Sequence, residues 1–274
     1  VDNPSVESQG WTCGHTVIHI VTDDMPFLVD SVTMALARSG RAIHLLVHPL
    51  LVVRRDAVGT LQEVLEADRA PHGEFGVGVE SWMHIEIDRV GEDAERAAIN
   101  AELREVLTHV RDAVEDWPKM RAACQNLADG LHAQPPAGID GAEVDQGVRF
   151  LQWLAANHFT FLGYRQYTLT RGAGQSAEGV GEDVLEAVSG TGYGLLRYDR
   201  NSSGSFARLT PEGQARARDP ELLIITKANS RATVHRPVYL DYVGVKTFDA
   251  QGEVTGEHRF LGLFAASAYT ESIL

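Results

Sequence analysis

Apolar residues alternate with polar ones, or recur at helical spacing, along the first half of the chain. Met83, Ile85 and Ile87 alternate with polar residues, which predicts a strand at about 81–90 with one buried face. Further strands are predicted at about 16–22 and 41–54, with a hairpin arm near 61–67. Helical spacing predicts a helix that ends at Gly40, whose apolar stripe is Leu28, Val32, Ala35 and Leu36. It also predicts a longer helix from about Asp93, whose apolar stripe is Ile99, Leu103, Val106, Val110, Ala113 and Trp117.

The second half begins after a stretch rich in proline and glycine. Residues 129–142 show no period, which is typical of a linker. We therefore predict a first domain at 1–134 with a C-terminal helical extension, a linker at 135–142 and a second domain at 143–274. The second domain is predicted to have one helix, then strands at about 159–169, 194–199, 222–227, 231–235, 238–248 and 253–265. This pattern indicates an antiparallel α+β module of a sensor-like kind.

The segment at 16–40 and the strand at 42–47 resemble the opening of an ACT domain. ACT domains are small βαββαβ (ferredoxin-like) modules that bind amino acids and control metabolic enzymes. The resemblance implies an α+β fold with an ACT-like first module, followed by a second module that is PAS-like or a diverged ACT unit. No strand-like segment follows the long helix before about residue 158, so we expect the fourth ACT strand to be missing or supplied from elsewhere.

Segments at 80–89, 150–164 and 256–264 resemble the N-terminal part of the large bacterial NAD-specific glutamate dehydrogenases. In that family the catalytic lysine and the dinucleotide-binding glycines lie far downstream. The resemblance therefore implies a regulatory or oligomerisation region with no catalytic residues and no cofactor of its own, in a parent enzyme that uses NAD. It also implies as partners the protein's own catalytic domain, other subunits of a homo-oligomer and an amino-acid effector.

The loop between the first strand and the first helix is the candidate effector site. Asp24 is placed to cap the helix, and Pro26 lies where a missing N–H costs nothing. Free backbone N–H groups at such a loop suit a ligand carboxylate. The ACT pattern usually has glycine after the proline, and Phe27 at this position counts against ligand binding. An ordinary capped helix is the alternative interpretation of the candidate residues Asp23, Asp24, Met25, Pro26, Phe27 and Leu28.

Composition narrows the choice of partners and compartment. The chain has 274 residues, 44% of them hydrophobic, and a formal net charge of -14. Such a charge disfavours nucleic acid and anionic bilayers as partners, and the longest apolar stretch is shorter than the roughly 20 residues of a membrane span. The two cysteines lie far apart in the sequence, so they predict neither a disulfide framework nor a metal knuckle. The lack of a predicted disulfide framework favours the cytoplasm as the compartment of this protein. Because the chain opens on Val1, we expect it to be part of something longer.

Other patterns indicate sites only weakly. Residues 172–177 match a dinucleotide fingerprint formally, but further glycines follow, so a flexible loop and no NAD site are predicted. His15/His19 and His44/His48 lie four residues apart, about 13 Å along a strand, so neither pair can share a metal ion and none is predicted. A positively charged group in the second module could bind an anionic metabolite or be a solvated strand face: Lys227, Arg231, Arg236 and Lys246.

One face of the first sheet is predicted to be an interface. In a βαββαβ unit both helices cover one face, so residues that alternate with the core positions Ile18, Ile20, Ile43, Leu45, Val47, Met83, Ile85 and Ile87 point to the other side. That side is too apolar to be left in water, and we expect another subunit or the second module to cover it. The interface candidates are Val17, His19, His44, Leu46, His48, Trp82 and His84.

Two rival functions remain open. A free-standing amino-acid sensor with no enzyme attached would have the same loop and sheet. A small hydrolase that uses Asp23 and Asp24 would need an acid/base carboxylate pair, although both residues fit a cap and a first turn better.

Overall fold

The structure, a computed structural model, describes residues 1–66, 74–175, 181–198, 206–208 and 217–269. It divides into two compact units. The first comprises Val1–Val110 with Thr233–Pro237, and the second comprises Arg111–Ala232 with Val238–Leu274. The residues predicted as a linker, 135–142, therefore lie inside the second unit. One of them, Ile139, packs against the core of that unit.

The first unit is built around a central antiparallel strand. Its elements are α1 (Val6–Gln9), β1 (Thr16–Asp23), α2 (Leu28–Arg38), β2 (Ile43–Val47), β3 (Leu50–Arg55), β4 (Leu61–Leu65), β5 (Val77–Ile87) and the start of α3 (Asp93–Ala133). Strand β5 pairs with β1 on one side and with β2 and β3 in succession on the other, and β4 lies outside β3. The predicted order, with the third strand between the first two, is confirmed. The predicted strand at 41–54 is two strands, because Pro49 has no N–H to donate to a ladder.

The inner face of this sheet is buried. Ile18, Met83, Ile85 and Ile87 are each at most 2% exposed, and the apolar stripe of α2 is buried as well. Among the described residues the sheet has five strands, and none of them follows α3. The hairpin arm β4, rather than a fourth ACT strand after the second helix, therefore extends this sheet.

A β-bulge in β2 changes which residues face outward. Ile43 pairs with Ile87, but Leu45 pairs with Glu86, so the register shifts by one residue between them. Because side chains alternate along a strand, the shift turns Leu45 and Val47 to the outer face, where they are 43% and 45% exposed. The prediction that these two residues are core residues is wrong.

The second unit is an antiparallel sheet with helices. Its elements, besides the rest of α3, are α4 (Gly141–Trp153), a π-turn (Leu154–His158), β6 (Phe159–Gln175), β7 (Gly181–Ala187), β8 (Tyr193–Gly194), β9 (Phe206–Arg208), β10 (Leu223–Arg231), β11 (Tyr239–Phe248), β12 (Val254–Phe264) and a 3-10 turn (Ala266–Tyr269). The strand order is β10-β11-β12-β6-β7-β9, with β8 beside β6. The strand predicted at 222–227 is the first part of β10. The strand predicted at 231–235 is wrong, because β10 ends at Arg231 and residues 232–235 form no strand.

The core of the second unit joins helices to the sheet. Met120 and Cys124 of α3, Leu151 of α4, and Phe161 and Phe260 of the sheet belong to one buried cluster. The α+β class with antiparallel sheets, an ACT-like module and a second sheet module is confirmed. Whether the second module is PAS-like or a diverged ACT unit stays a prediction.

Candidate functional site

The candidate effector loop lies between β1 and α2. Strand β1 ends at Asp23, and the helix starts at Leu28 without a side-chain cap. The prediction that Asp24 caps the helix is wrong, because Asp24 lies too early and its N–H donates to the Val79 carbonyl at 3.1 Å. Phe27 has a φ of 71°, the left-handed conformation that favours glycine. The loop therefore has the backbone shape that the ACT glycine would provide, with a phenylalanine in its place.

The segment Thr233–Pro237, which belongs to the first unit, lies against this loop. The ring of His235 is 4.8 Å from that of Phe27, centroid to centroid. The backbone N–H of His235 donates to Ser31 Oγ at 3.1 Å. Burial, followed by the charge of Arg236, lowers the pKa of His235 below its ordinary value, although Asp30 opposes the shift. His235 is therefore neutral at pH 7. Its ring and that of Phe27 thus contact each other beside the start of α2.

The outer face of the first sheet carries a chain of hydrogen bonds between histidines and carboxylates. His19 Nε2 lies 2.8 Å from His84 Nδ1, and His84 Nε2 lies 3.3 Å from Glu86 Oε1. The other oxygen of Glu86 lies 2.8 Å from His15 Nδ1. The ring of His15 stacks on that of His44 at 4.2 Å. We call this set, with Asp88, the histidine face: His15, His19, His44, His84, Glu86 and Asp88.

Strand pairing explains why these residues meet. His19 and His84 are directly opposite each other in the β1–β5 ladder, and Glu86 lies two residues further along β5 on the same side. His44 lies at the bulge of β2, and its Nε2 is 2.8 Å from Asp88 Oδ1. The histidine face therefore combines three strands and the segment before β1.

The charges on this face are set by its own hydrogen bonds. His15, and then His84, keep the pKa of Glu86 below its usual value, and His44 does the same for Asp88. Burial, and then the neighbouring His84, lower the pKa of His19. Both carboxylates are therefore ionised and His19 is neutral at pH 7.

The structure places only part of the predicted interface set on this face. His19, His44, Trp82 and His84 lie on the outer face, where the exposed residues Val21, Leu45 and Val47 flank them. The other three do not lie there as exposed residues. Val17 is 3% exposed and pairs with Asp2; Leu46 lies opposite the buried Ile85 because of the bulge; and His48 bonds the buried Ser81 Oγ at 2.5 Å. That the outer face is an interface stays a prediction.

The four predicted anion-binding residues belong to two different units. Arg236 belongs to the first unit and the other three to the second. Lys227 is paired with Asp241 at 2.6 Å, Arg231 stacks on the Tyr239 ring at 4.9 Å, and Lys246 is buried with its ammonium on the Asp219 carbonyl. Lys227, Arg231 and Lys246 thus each have a local structural role among the described residues, and anion binding by the four residues stays a prediction.

The fingerprint-like residues 172–177 begin as part of a strand. Gly172 to Gln175 form the end of β6, where Gly174 pairs with Glu182 of β7. A dinucleotide fingerprint opens a helix instead. The prediction of a flexible loop is wrong for 172–175, and Ser176 and Ala177 lie outside the described residues.

The contact between Cys13, His15 and Glu86 was not predicted from the sequence. Cys13 Sγ lies 3.4 Å from Glu86 Oε2, across 73 positions of sequence. In the sequence, this contact is indicated only by the short patterns Cys13-x-His15 and His84-x-Glu86, in each of which two candidate ligands are two residues apart. That the two segments lie next to each other depends on the fold.

The sheet order and the loop define the first unit as an ACT-like regulatory module, joined in one chain to a second sheet module. Comparison with known proteins is more specific. The family model for the glutamate dehydrogenase ACT1 domain matches residues 1–103, so this part of the chain is similar to that domain. The expected resemblance to large NAD-specific glutamate dehydrogenases is confirmed.

Relatives cover nearly the whole chain but only a small part of their own length. The NAD-specific glutamate dehydrogenase of Halomonas elongata is 39% identical over 272 residues, which are 98% of this chain and 16% of the relative. The enzyme of the same name from Pseudomonas aeruginosa is 36% identical over 100% of this chain and 16% of the relative. That from Mycobacterium tuberculosis is 24% identical over 94% and 14%. The chain thus spans about one sixth of the length of these relatives. In the part of the chain that the structure describes, no helix is long and apolar enough to cross a membrane.

Proposed function

We propose that this chain is a non-catalytic regulatory region of a large NAD-dependent glutamate dehydrogenase. The parent reaction is the oxidation of glutamate with NAD to 2-oxoglutarate, ammonia and NADH. The proposed partners are the catalytic domain of the same protein and further subunits of a homo-oligomer in the cytoplasm. NAD binds outside these residues.

The observation that carries this proposal is the ACT1 match over residues 1–103. The antiparallel β1–β5–β2/β3 arrangement and the helix that starts directly after the loop at 23–28 support it. A fold alone does not supply a function. An ACT module therefore regulates its enzyme either through a ligand that it binds or through contacts with partner domains.

The loop Asp23 to Leu28 is the proposed effector site, in a partly closed form. The contact between the rings of Phe27 and His235 beside the start of α2 supports this closed form. We therefore propose that regulation in the native chain relies on domain or subunit contacts more than on tight amino-acid binding at this loop.

The test uses the full-length protein and a form that lacks these 274 residues. Both are assayed for NAD-dependent glutamate oxidation, for its response to the twenty amino acids and for oligomeric state. We expect the isolated chain to be inactive and the shortened protein to differ in oligomeric state or in its response. Glutamate turnover by the isolated chain, or a shortened protein with unchanged kinetics and assembly, contradicts the proposal.

A further inference from the structure

One group of side chains on the outer face of the first sheet has the chemistry of a metal site. Cys13, His15 and Glu86 each offer one ligand atom, and these atoms all lie within 4.8 Å of one another. Cys13 and His15 flank Gly14 on the segment before β1, and Glu86 lies on β5. Two separate parts of the chain therefore converge there.

The distances are close to those of a tetrahedral zinc site. With ordinary bond lengths of about 2.3 Å for zinc–sulfur and about 2.1 Å for zinc–nitrogen or zinc–oxygen, tetrahedral neighbours are about 3.6 Å apart for sulfur–oxygen and about 3.4 Å apart for nitrogen–oxygen. Cys13 Sγ and His15 Nδ1 lie 3.4 Å and 2.8 Å from Glu86 Oε2. A tetrahedral ion between these atoms requires the distance from His15 Nδ1 to Glu86 Oε2 to lengthen by about 0.6 Å. The distance between the sulfur and the imidazole nitrogen, at most 4.8 Å here, has to be about 3.6 Å.

The ligand types select the kind of metal. Thiolate and imidazole favour zinc and related transition metals, whereas magnesium and calcium prefer oxygen ligands. All three side chains are half-buried, so an ion can enter from solvent. We propose that Cys13, His15 and Glu86 bind one Zn²⁺ ion, with solvent as the fourth ligand.

Neighbouring side chains orient the ligands as they do in known zinc sites. His84 Nε2 lies 3.3 Å from the second oxygen of Glu86, and His84 Nδ1 is joined to His19 Nε2 at 2.8 Å. The ring of His44 stacks on His15, and Asp88 holds His44 in turn. Such outer contacts fix the rotamers of ligands and contribute about 10–100-fold to metal affinity.

The test measures Co²⁺ and Zn²⁺ binding to the intact 274-residue chain under reducing conditions. Co²⁺ reports the site by its intense visible d–d bands in tetrahedral coordination and by a thiolate charge-transfer band in the near ultraviolet. We expect one Co²⁺ per chain with both features, and its displacement by Zn²⁺. The second thiol, Cys124, does not compete, because burial raises its pKa to about 12.

Substitutions separate ligands from supporting residues. Cys13→Ser should abolish the charge-transfer band, and both Cys13→Ser and Glu86→Gln should weaken Zn²⁺ binding by more than about 100-fold. His19→Gln should keep the band and weaken binding by about 10-fold, since it acts only through His84. His132→Gln, an exposed histidine on α3, is the matched control and should bind as the parent chain does.

Circular dichroism establishes that each variant is folded. Because two ligand residues are substituted separately, the test still holds if one of the two variants does not fold. Absence of the thiolate band in the parent chain overturns the proposal. So does equal Zn²⁺ affinity in the parent, Cys13→Ser and Glu86→Gln. This result is independent of the proposed regulatory role, which is tested through the kinetics and assembly of the full-length protein.

Discussion

Phe27 offers a direct test of the loop conformation at the candidate effector site. Its φ of 71° is unfavourable for any residue with a Cβ, and its ring contacts His235. Phe27→Gly and Phe27→Ala both remove the ring, so the loss of packing is common to the two variants. Only glycine also removes the conformational strain.

The expected difference follows from two opposing effects. A left-handed non-glycine residue costs about 1–2 kcal/mol. Glycine loses about 0.4–1 kcal/mol more than alanine through its greater freedom in the unfolded chain. Phe27→Gly should therefore be more stable than Phe27→Ala by about 0.5–1 kcal/mol.

Urea denaturation measures this difference, with far-UV circular dichroism and tryptophan fluorescence as probes of both units. The linear dependence of unfolding free energy on urea must have the same slope in the two variants for the comparison to hold. If the alanine variant is as stable as the glycine variant, Phe27 is not left-handed and the account of the loop fails.

The same pair tests ligand access. Removing the ring opens the approach to the start of α2, and a glycine there lets a ligand reach the backbone. We expect calorimetry with amino acids to show weak or no binding by the parent chain and stronger binding by Phe27→Gly. Tight binding by the parent chain that vanishes in Asp24→Ala would show instead that the loop is already open.

Three further predictions concern the second unit. Asp116→Asn removes the buried charge that accepts from Arg197 at 2.8 Å, and it should cost about 3 kcal/mol of unfolding free energy; a loss below about 1 kcal/mol contradicts the role of the pair. Burial lowers the pKa of His258 to about 4, so stability should fall by roughly 3 kcal/mol as the pH drops from about 6.5 to 4, and His258→Gln should flatten this dependence in denaturation series. A Cβ at Gly256 would lie 2.1 Å from a backbone oxygen of β6, so Gly256→Ala should lower the free energy of unfolding by about 2 kcal/mol or more. Gly130 lies in open space on α3, and Gly130→Ala should raise that free energy by up to about 1 kcal/mol. Equal melting temperatures for the two variants would contradict this prediction.

The elements that could be predicted are those whose pattern is local. The alternation of Met83, Ile85 and Ile87 fixed the buried face of β5, and the apolar stripe from Ile99 located the long helix α3. Both patterns depend only on the geometry of a single element. The position of β5 between β1 and β2 depends on pairing between distant segments, so it was predicted from the ACT resemblance and not from a residue pattern.

Long-range pairing set the limits of the prediction. The segment Thr233–Pro237 belongs to the first unit although it lies more than 100 residues from the rest of it, and no periodic signal marks such a return. The start of α2 was also misplaced. Asp24 has the chemistry of a cap, but the chain uses its N–H to pair with Val79 and begins the helix only after Phe27.

The bulge in β2 shows how one residue decides the composition of a surface. Without the register shift, alternation would place His44 opposite Glu86 and Leu45 opposite Ile85 in the core. The shift instead leaves His44 outside the regular ladder, where its ring reaches both Asp88 and His15, and it exposes Leu45 and Val47 on the outer face. The position of His44 and the exposure of Leu45 and Val47 thus have one common cause. A bulge is invisible in the period of the sequence, because Ile43 to Val47 consists of apolar residues with a single histidine, and either register buries apolar side chains.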